Sequence, residues 1–81
     1  METPPELAAV AGDQEGIYIT EREVDGETEI AVDFGPLPGR PTLDVVGETA
    51  IVVVGDRQFE FEVPADATDV SVNDDILTIR G

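Results

Sequence analysis

From Gly16 onward, apolar residues return at every second position, and glycine, proline or acidic pairs interrupt them at short intervals. The run "ETEIAVDF" is the clearest case. Ile30, Val32 and Phe34 fall on one face, and Glu29, Ala31 and Asp33 on the other. A period of two with one apolar face predicts a half-buried strand. "IYITEREV" precedes it across Asp25-Gly26, a pair suited to the positive φ values of a type I′ hairpin turn. Further on, "TLDVV" turns at Gly47-Glu48 into "TAIVVV", which turns at Gly55-Asp56 into "RQFEFEV". Phe59, Phe61 and Val63 point one way, and Gln58, Glu60 and Glu62 the other. "DVSV" and "ILTIR" form a last pair across Asp74-Asp75, with Val70 and Val72 on one strand and Leu77 and Ile79 on the next. No segment sustains a 3.6-residue period over several turns. An all-β fold is predicted, an antiparallel β-sandwich of about seven strands.

Two stretches interrupt the hairpins. "GPLPGRP" carries three prolines, which withhold three donors and so cannot lie inside a sheet. That connector and the "PADAT" link are the two places where the chain can cross between layers. "TAIVVV" is apolar on both faces, which predicts a central strand, covered on both sides or partly exposed on one. Residues 1–15 read as a flexible N-terminal arm before a single domain over residues 16–81. Pro4-Pro5 can start a turn of helix over "ELAAVA", too short to stand alone.

Composition adds the environment. The chain of 81 residues carries nineteen acidic side chains against four basic ones, a net charge of -15, and every basic residue is an arginine. The acids are interleaved with apolar positions, unlike the blocks of a disordered acidic tail. Nucleic-acid binding needs a basic face and is set aside. An ordinary acidic domain and a protein adapted to high salt both remain. In about 1 M salt the Debye length falls to ~3 Å, which screens the self-repulsion of such a chain. Absence of lysine favours salt adaptation, and the chain resembles the proteins of halophilic archaea in this respect. With no cysteine, no basic leader and no long apolar run, a soluble, cytoplasmic protein is expected.

Three stretches, in this order, resemble the α-crystallin domain of the small heat-shock (Hsp20) proteins. "ETEIAVDFGPLPG" is similar to the family's strand ending before a Pro/Gly loop. "LDVVGETAIVVVG" is similar to its next hairpin. "FEFEVPADATDVSVNDDILTIRG" is similar to its ending, in which an aromatic strand, a proline and an acidic link precede the last hairpin. The p23/CS-type sandwich shares this layout. Asp74-Asp75 stands where the family usually carries Asn-Gly, and aspartate tolerates the left-handed region at some cost. Prokaryotic members have a long excursion that swaps into a dimer partner, whereas Gly55-Asp56 closes the corresponding hairpin in two residues. An Ile-x-Ile tail is likewise not seen after Gly81. A monomer or weak homodimer is therefore expected.

Catalytic chemistry has few carriers. There is no histidine, cysteine or lysine, so nucleophile-base pairs cannot be assembled. Neighbouring carboxylates arise by chance in so acidic a chain and read as a solvated face. No cofactor, no metal site and no catalytic residue is expected. The resemblance implies an ATP-independent holdase whose partners are other proteins, unfolded clients or one specific partner, without nucleic acid or membrane. It also implies a peptide-binding groove between "TLDVV" and "TDVSV", lined by Leu43, Val45, Val70 and Val72. The plain alternative is that these residues only face the core. A non-catalytic interaction or regulatory module on a p23/CS-like sandwich is the competing function.

Overall fold

The computed structural model describes residues 1–13, 16–35 and 39–81. A helix, α1 (Pro5–Asp13), comes first. Strands β1 (Tyr18–Val24), β2 (Glu27–Asp33), β3 (Thr42–Val46), β4 (Thr49–Val54), β5 (Arg57–Glu62), β6 (Asp69–Asn73) and β7 (Ile76–Arg80) follow. They form two antiparallel sheets, one in the order β1-β2-β7-β6 and the other in the order β3-β4-β5. The predicted sandwich is the observed architecture.

Four two-residue turns set the register. Asp25 and Gly26 have φ of 53° and 81°, and Asp74 and Asp75 have 50° and 69°, the two left-handed positions of a type I′ turn. At Gly47 and Gly55 only the first turn residue is left-handed, with φ of 63° and 62°. This is the type II′ pattern, which asks for glycine there. Each loop holds its flanking strands in a right-handed twist, so register follows from local chemistry. The chain crosses between layers at the two predicted places, between β2 and β3 and between β5 and β6. Pro36, Leu37 and Pro38 of the first connector lie outside the described residues.

Both crossings place inward-facing residues of the two sheets against each other. Ile30 pairs with Ile79 and Val32 with Leu77 in the first sheet, and Ala50 with Phe61 and Val52 with Phe59 in the second. All eight are buried, and no charged or polar residue shares the core among the described residues. The rings of Phe34 and Phe59 stack at 5.6 Å, joining the layers at one end. β4 is central, with Ala50, Val52 and Val54 buried and Thr49, Ile51 and Val53 half-buried on the outer face. Its apolar pattern on both faces thus reflects one covered face and one partly exposed. β7 lies between β2 and β6, so the final strand is paired along both edges.

The expected mobile arm is where sequence and structure part. Residues 5–13 form α1, which packs against β5 and β1. Pro5 occupies the first helical position, where its missing N–H costs nothing. The carbonyl of Pro4 accepts from the N–H groups of Leu7 and Ala8 at 3.0 and 3.1 Å. Nine residues are too few for an isolated helix. Docking holds it: Leu7 is only 1% exposed within the core cluster, with Val10 and Ala11 packed alongside. Its neighbour Glu6 reaches β5, where Oε2 accepts the N–H of Glu62 at 3.1 Å. That N–H points away from β4, so a side chain closes a group the sheet leaves open. The Cα radius of gyration, 11.8 Å, matches the ~12 Å of a compact chain of this length, with no extended arm. Gln14 and Glu15 lie outside the described residues.

Leu7→Ala should cost about 2–4 kcal/mol, as other buried leucines do. Chemical denaturation in molar KCl measures it. A mobile arm would leave the unfolding midpoint unchanged.

Candidate functional site

A two-layer sandwich has two open borders where the sheets' edge strands face each other. Here β1 and β5 flank one border, bridged by α1, and β3 and β6 flank the other, where the two strands approach each other directly. α1 fills the first, with Leu7 as its plug and Glu6 as its cap on β5. The second is closed by no element of the described chain. Edge strands carry unpaired N–H and C=O groups, so an unfilled border is the natural place for another strand to add.

Register fixes which side chains look into it. Leu43 pairs with buried Val52 and Val45 with buried Ala50, so both belong to the inner face of β3. On β6, Val70 pairs with Ile79 and Val72 with Leu77, which are also buried, and again the inner face is named. The four residues proposed from the sequence therefore converge on one border from opposite layers. Leu43, Val70 and Val72 are half-buried and pack against the core, whereas Val45 is 47% exposed. Three of the four residues thus serve the core and still present a side to solvent, and Val45 is the most open of them.

Two depressions end this border. One, of about 380 Å³, is lined by Val45 and Val70 together with Glu48, Val63, Pro64 and Asp69. Another, of about 370 Å³, is lined by Arg40, Pro41, Val72, Asn73, Asp74 and Asp75. Val46, next to Val45, turns to the outer face of the sheet and is 62% exposed. Two adjacent valines are thus uncovered on opposite faces of one edge strand. Val46 was not among the residues expected at the groove, although strict alternation along "TLDVV" places it opposite Val45.

Elsewhere the surface is organised by charge. Arg22, Glu29, Arg80 and Asp69 stand level across the four strands of the first sheet. Glu29 Oε1 accepts from Arg22 Nε and Nη2 at 2.9 and 2.6 Å, and Oε2 accepts from Arg80 Nε at 3.0 Å. Two of the four arginines are therefore spent on one carboxylate. A third, Arg57, lies over the Phe59 ring at 5.7 Å. The Arg22–Glu29 pair was legible in advance, because a two-residue turn at Asp25-Gly26 sets these residues opposite each other. Hydrogen bonds from Arg22 hold the Glu29 carboxyl below its ordinary range, against an upward push from lost hydration. The charge of Arg22 and the contact with Arg80 add to the lowering. None of this resembles an acid-base pair poised for catalysis.

Over residues 1–81 the chain matches a family of unknown function (DUF7127), and it belongs to that family. No curated protein and no solved structure matches it. No helix among the described residues is long and apolar enough to cross a membrane.

A carboxyl whose folded pKa is lowered stabilises the fold fully above its unfolded pKa and loses that contribution as pH falls through the folded value. Wild type should therefore exceed Glu29→Gln in melting temperature at pH 7. The gap should narrow as pH drops below about 4.5, where an unfolded glutamate takes up its proton. A gap independent of pH would show that the charge of Glu29 contributes nothing.

Proposed function

We propose that this protein is a non-catalytic, ATP-independent holdase that takes up extended apolar segments of partly unfolded polypeptides at the β3–β6 border. One observation carries the reading. Leu43, Val45, Val70 and Val72 line the single border that no element of the described chain fills, beside two edge strands with unpaired backbone groups. Backbone pairing to an edge supplies affinity with little regard to sequence, and alternate side chains entering the border supply a modest preference. The resemblance to Hsp20 domains supports the same assignment, since it implies a groove between these two strands. A short β4–β5 hairpin supports a monomer or weak homodimer. An acidic chain without lysine supports a cytoplasm rich in salt, of the kind halophilic archaea maintain.

A dedicated interaction module, bound to one partner, is the second reading. The closure of the β1–β5 border by α1 favours it, because a domain with one free border presents less surface to varied clients than a domain with two.

Light scattering of a heat-unfolding client in 2 M KCl separates them. A holdase should suppress aggregation at roughly equimolar ratios, and Val45→Asp should abolish the effect while leaving the melting temperature within a few degrees. No suppression by wild type, with one defined partner recovered, supports the dedicated module. The salt reading has its own test. Transfer from 2 M to 0.1 M KCl lengthens the Debye length from about 2 to ~10 Å. The melting temperature should fall by ten degrees or more, and an unchanged value would remove the salt adaptation.

A further inference from the structure

The two ends of the open border differ in charge. At the Val70 end the floor is apolar, built from Val45, Val63, Pro64 and Val70. The only charged side chains lining that depression are Glu48 and Asp69, with no cation between them. Neither carboxylate forms a salt bridge among the described residues. At the Val72 end, Arg40 stands among Asp74 and Asp75 and offsets part of their charge. An occupant therefore meets an apolar floor with an acidic rim at the Val70 end, and a largely polar lining of mixed charge around Val72 and Pro41 at the other.

We infer that the segment received here is apolar in its middle and carries a lysine or arginine at the end that reaches Glu48 and Asp69. This rests on the β3–β6 border being a strand-binding site, and it adds the chemistry of the partner to that reading. β3 has five residues, which spans about 17 Å at the rise of an extended chain. A segment of five or six residues covers the border from one depression to the other. Its apolar side chains replace water over Val45 and Val70, and its basic residue then lies beside Glu48 and Asp69, neither of which forms a salt bridge among the described residues. Charge of this kind contributes more to the choice of partner than to total affinity.

The arrangement also says what is excluded. A segment with an acidic end would bring a like charge to Glu48 and Asp69, a repulsive element of the sort that sharpens selection. Most strands of this chain carry acidic residues, including "TEREV", "QFEFE" and "ETEIAVD". The border thus discriminates against the protein's own edges. That is a useful property for a chain that leaves β3 and β6 as edge strands.

Three fluorescein-labelled peptides with the core Val-Thr-Val, flanked at both ends by lysine, by serine or by glutamate, provide the test by fluorescence polarisation. The measurement is made in 1 M KCl, where a Debye length of ~3 Å silences the distant charges and leaves only those touching the peptide. The lysine-flanked peptide should bind at least threefold tighter than the glutamate-flanked one, with serine between. Glu48→Lys combined with Asp69→Asn should bring the three within a factor of two or invert their order. Glu23→Lys with Glu27→Gln makes the same change in net charge on the far side of the first sheet and should leave the ranking intact. Strand content by circular dichroism confirms that each variant is folded. Equal binding of all three peptides by wild type overturns the charge selection and leaves the border as a strand-binding site. If no peptide binds wild type, the strand-binding reading falls, and the selection with it. An equal loss of ranking in the distant variant would also overturn it, by assigning the preference to the chain's overall field.

Discussion

The fold depends on a single apolar layer shared by two small sheets, in a chain whose net charge of -15 makes it self-repelling at a distance. Every strand that contributes to this layer donates one face, and register decides which. Ile30, Val32, Leu77 and Ile79 from one sheet meet Ala50, Val52, Phe59 and Phe61 from the other, and nothing polar intrudes among the described residues. So thin a layer cannot lose contributors cheaply, since a domain of this size buries only about 60–65% of its unfolded surface. This is the physical reason that α1 matters. Leu7 adds a large, fully covered side chain to the core cluster at the border beside β5.

The same constraint makes the two borders unequal. At β1–β5, the protein covers its own edge with a helix, and the Glu6 carboxylate answers a backbone donor of β5. At β3–β6, it leaves half-buried valines and two strands that are paired along one edge only. Exposed edges are a hazard that proteins usually blunt with charge. Here Asp44 in the middle of β3, with Glu48 and Asp69 nearby, serves that purpose and gives the border a sign as well as a shape. The opposing arginines are engaged elsewhere: Arg22 and Arg80 hold Glu29, and Arg57 covers Phe59. Few cations remain to neutralise the border from within.

Much of the candidate site was legible beforehand. The four two-residue turns made every hairpin register readable, and registers told which valines face inward. Alternation put Val70 and Val72 on one face of their strand, whereas the grouping of Leu43, Val45, Val70 and Val72 came from the Hsp20 resemblance. That β3 and β6 lie opposite each other was another matter. It depended on how the two hairpin groups stack, and the sequence suggested it only through the Hsp20 resemblance. Glu6 offered no signal at all, because a carboxylate capping a strand fifty-six positions away leaves no local pattern.

What the chain alone determined is local: alternation decided strand faces, Asp-Gly and Gly-X pairs decided turns, and proline decided where pairing must stop. These effects act within a few residues and survive in any context. Only the tertiary structure decided the fate of residues 1–13 and the difference between the two borders. "ELAAVA" has too few residues to form a helix by itself. It becomes one because the sandwich supplies an apolar cleft of the right width for Leu7, and the free energy of that burial is a property of the assembled layers that no window of sequence contains.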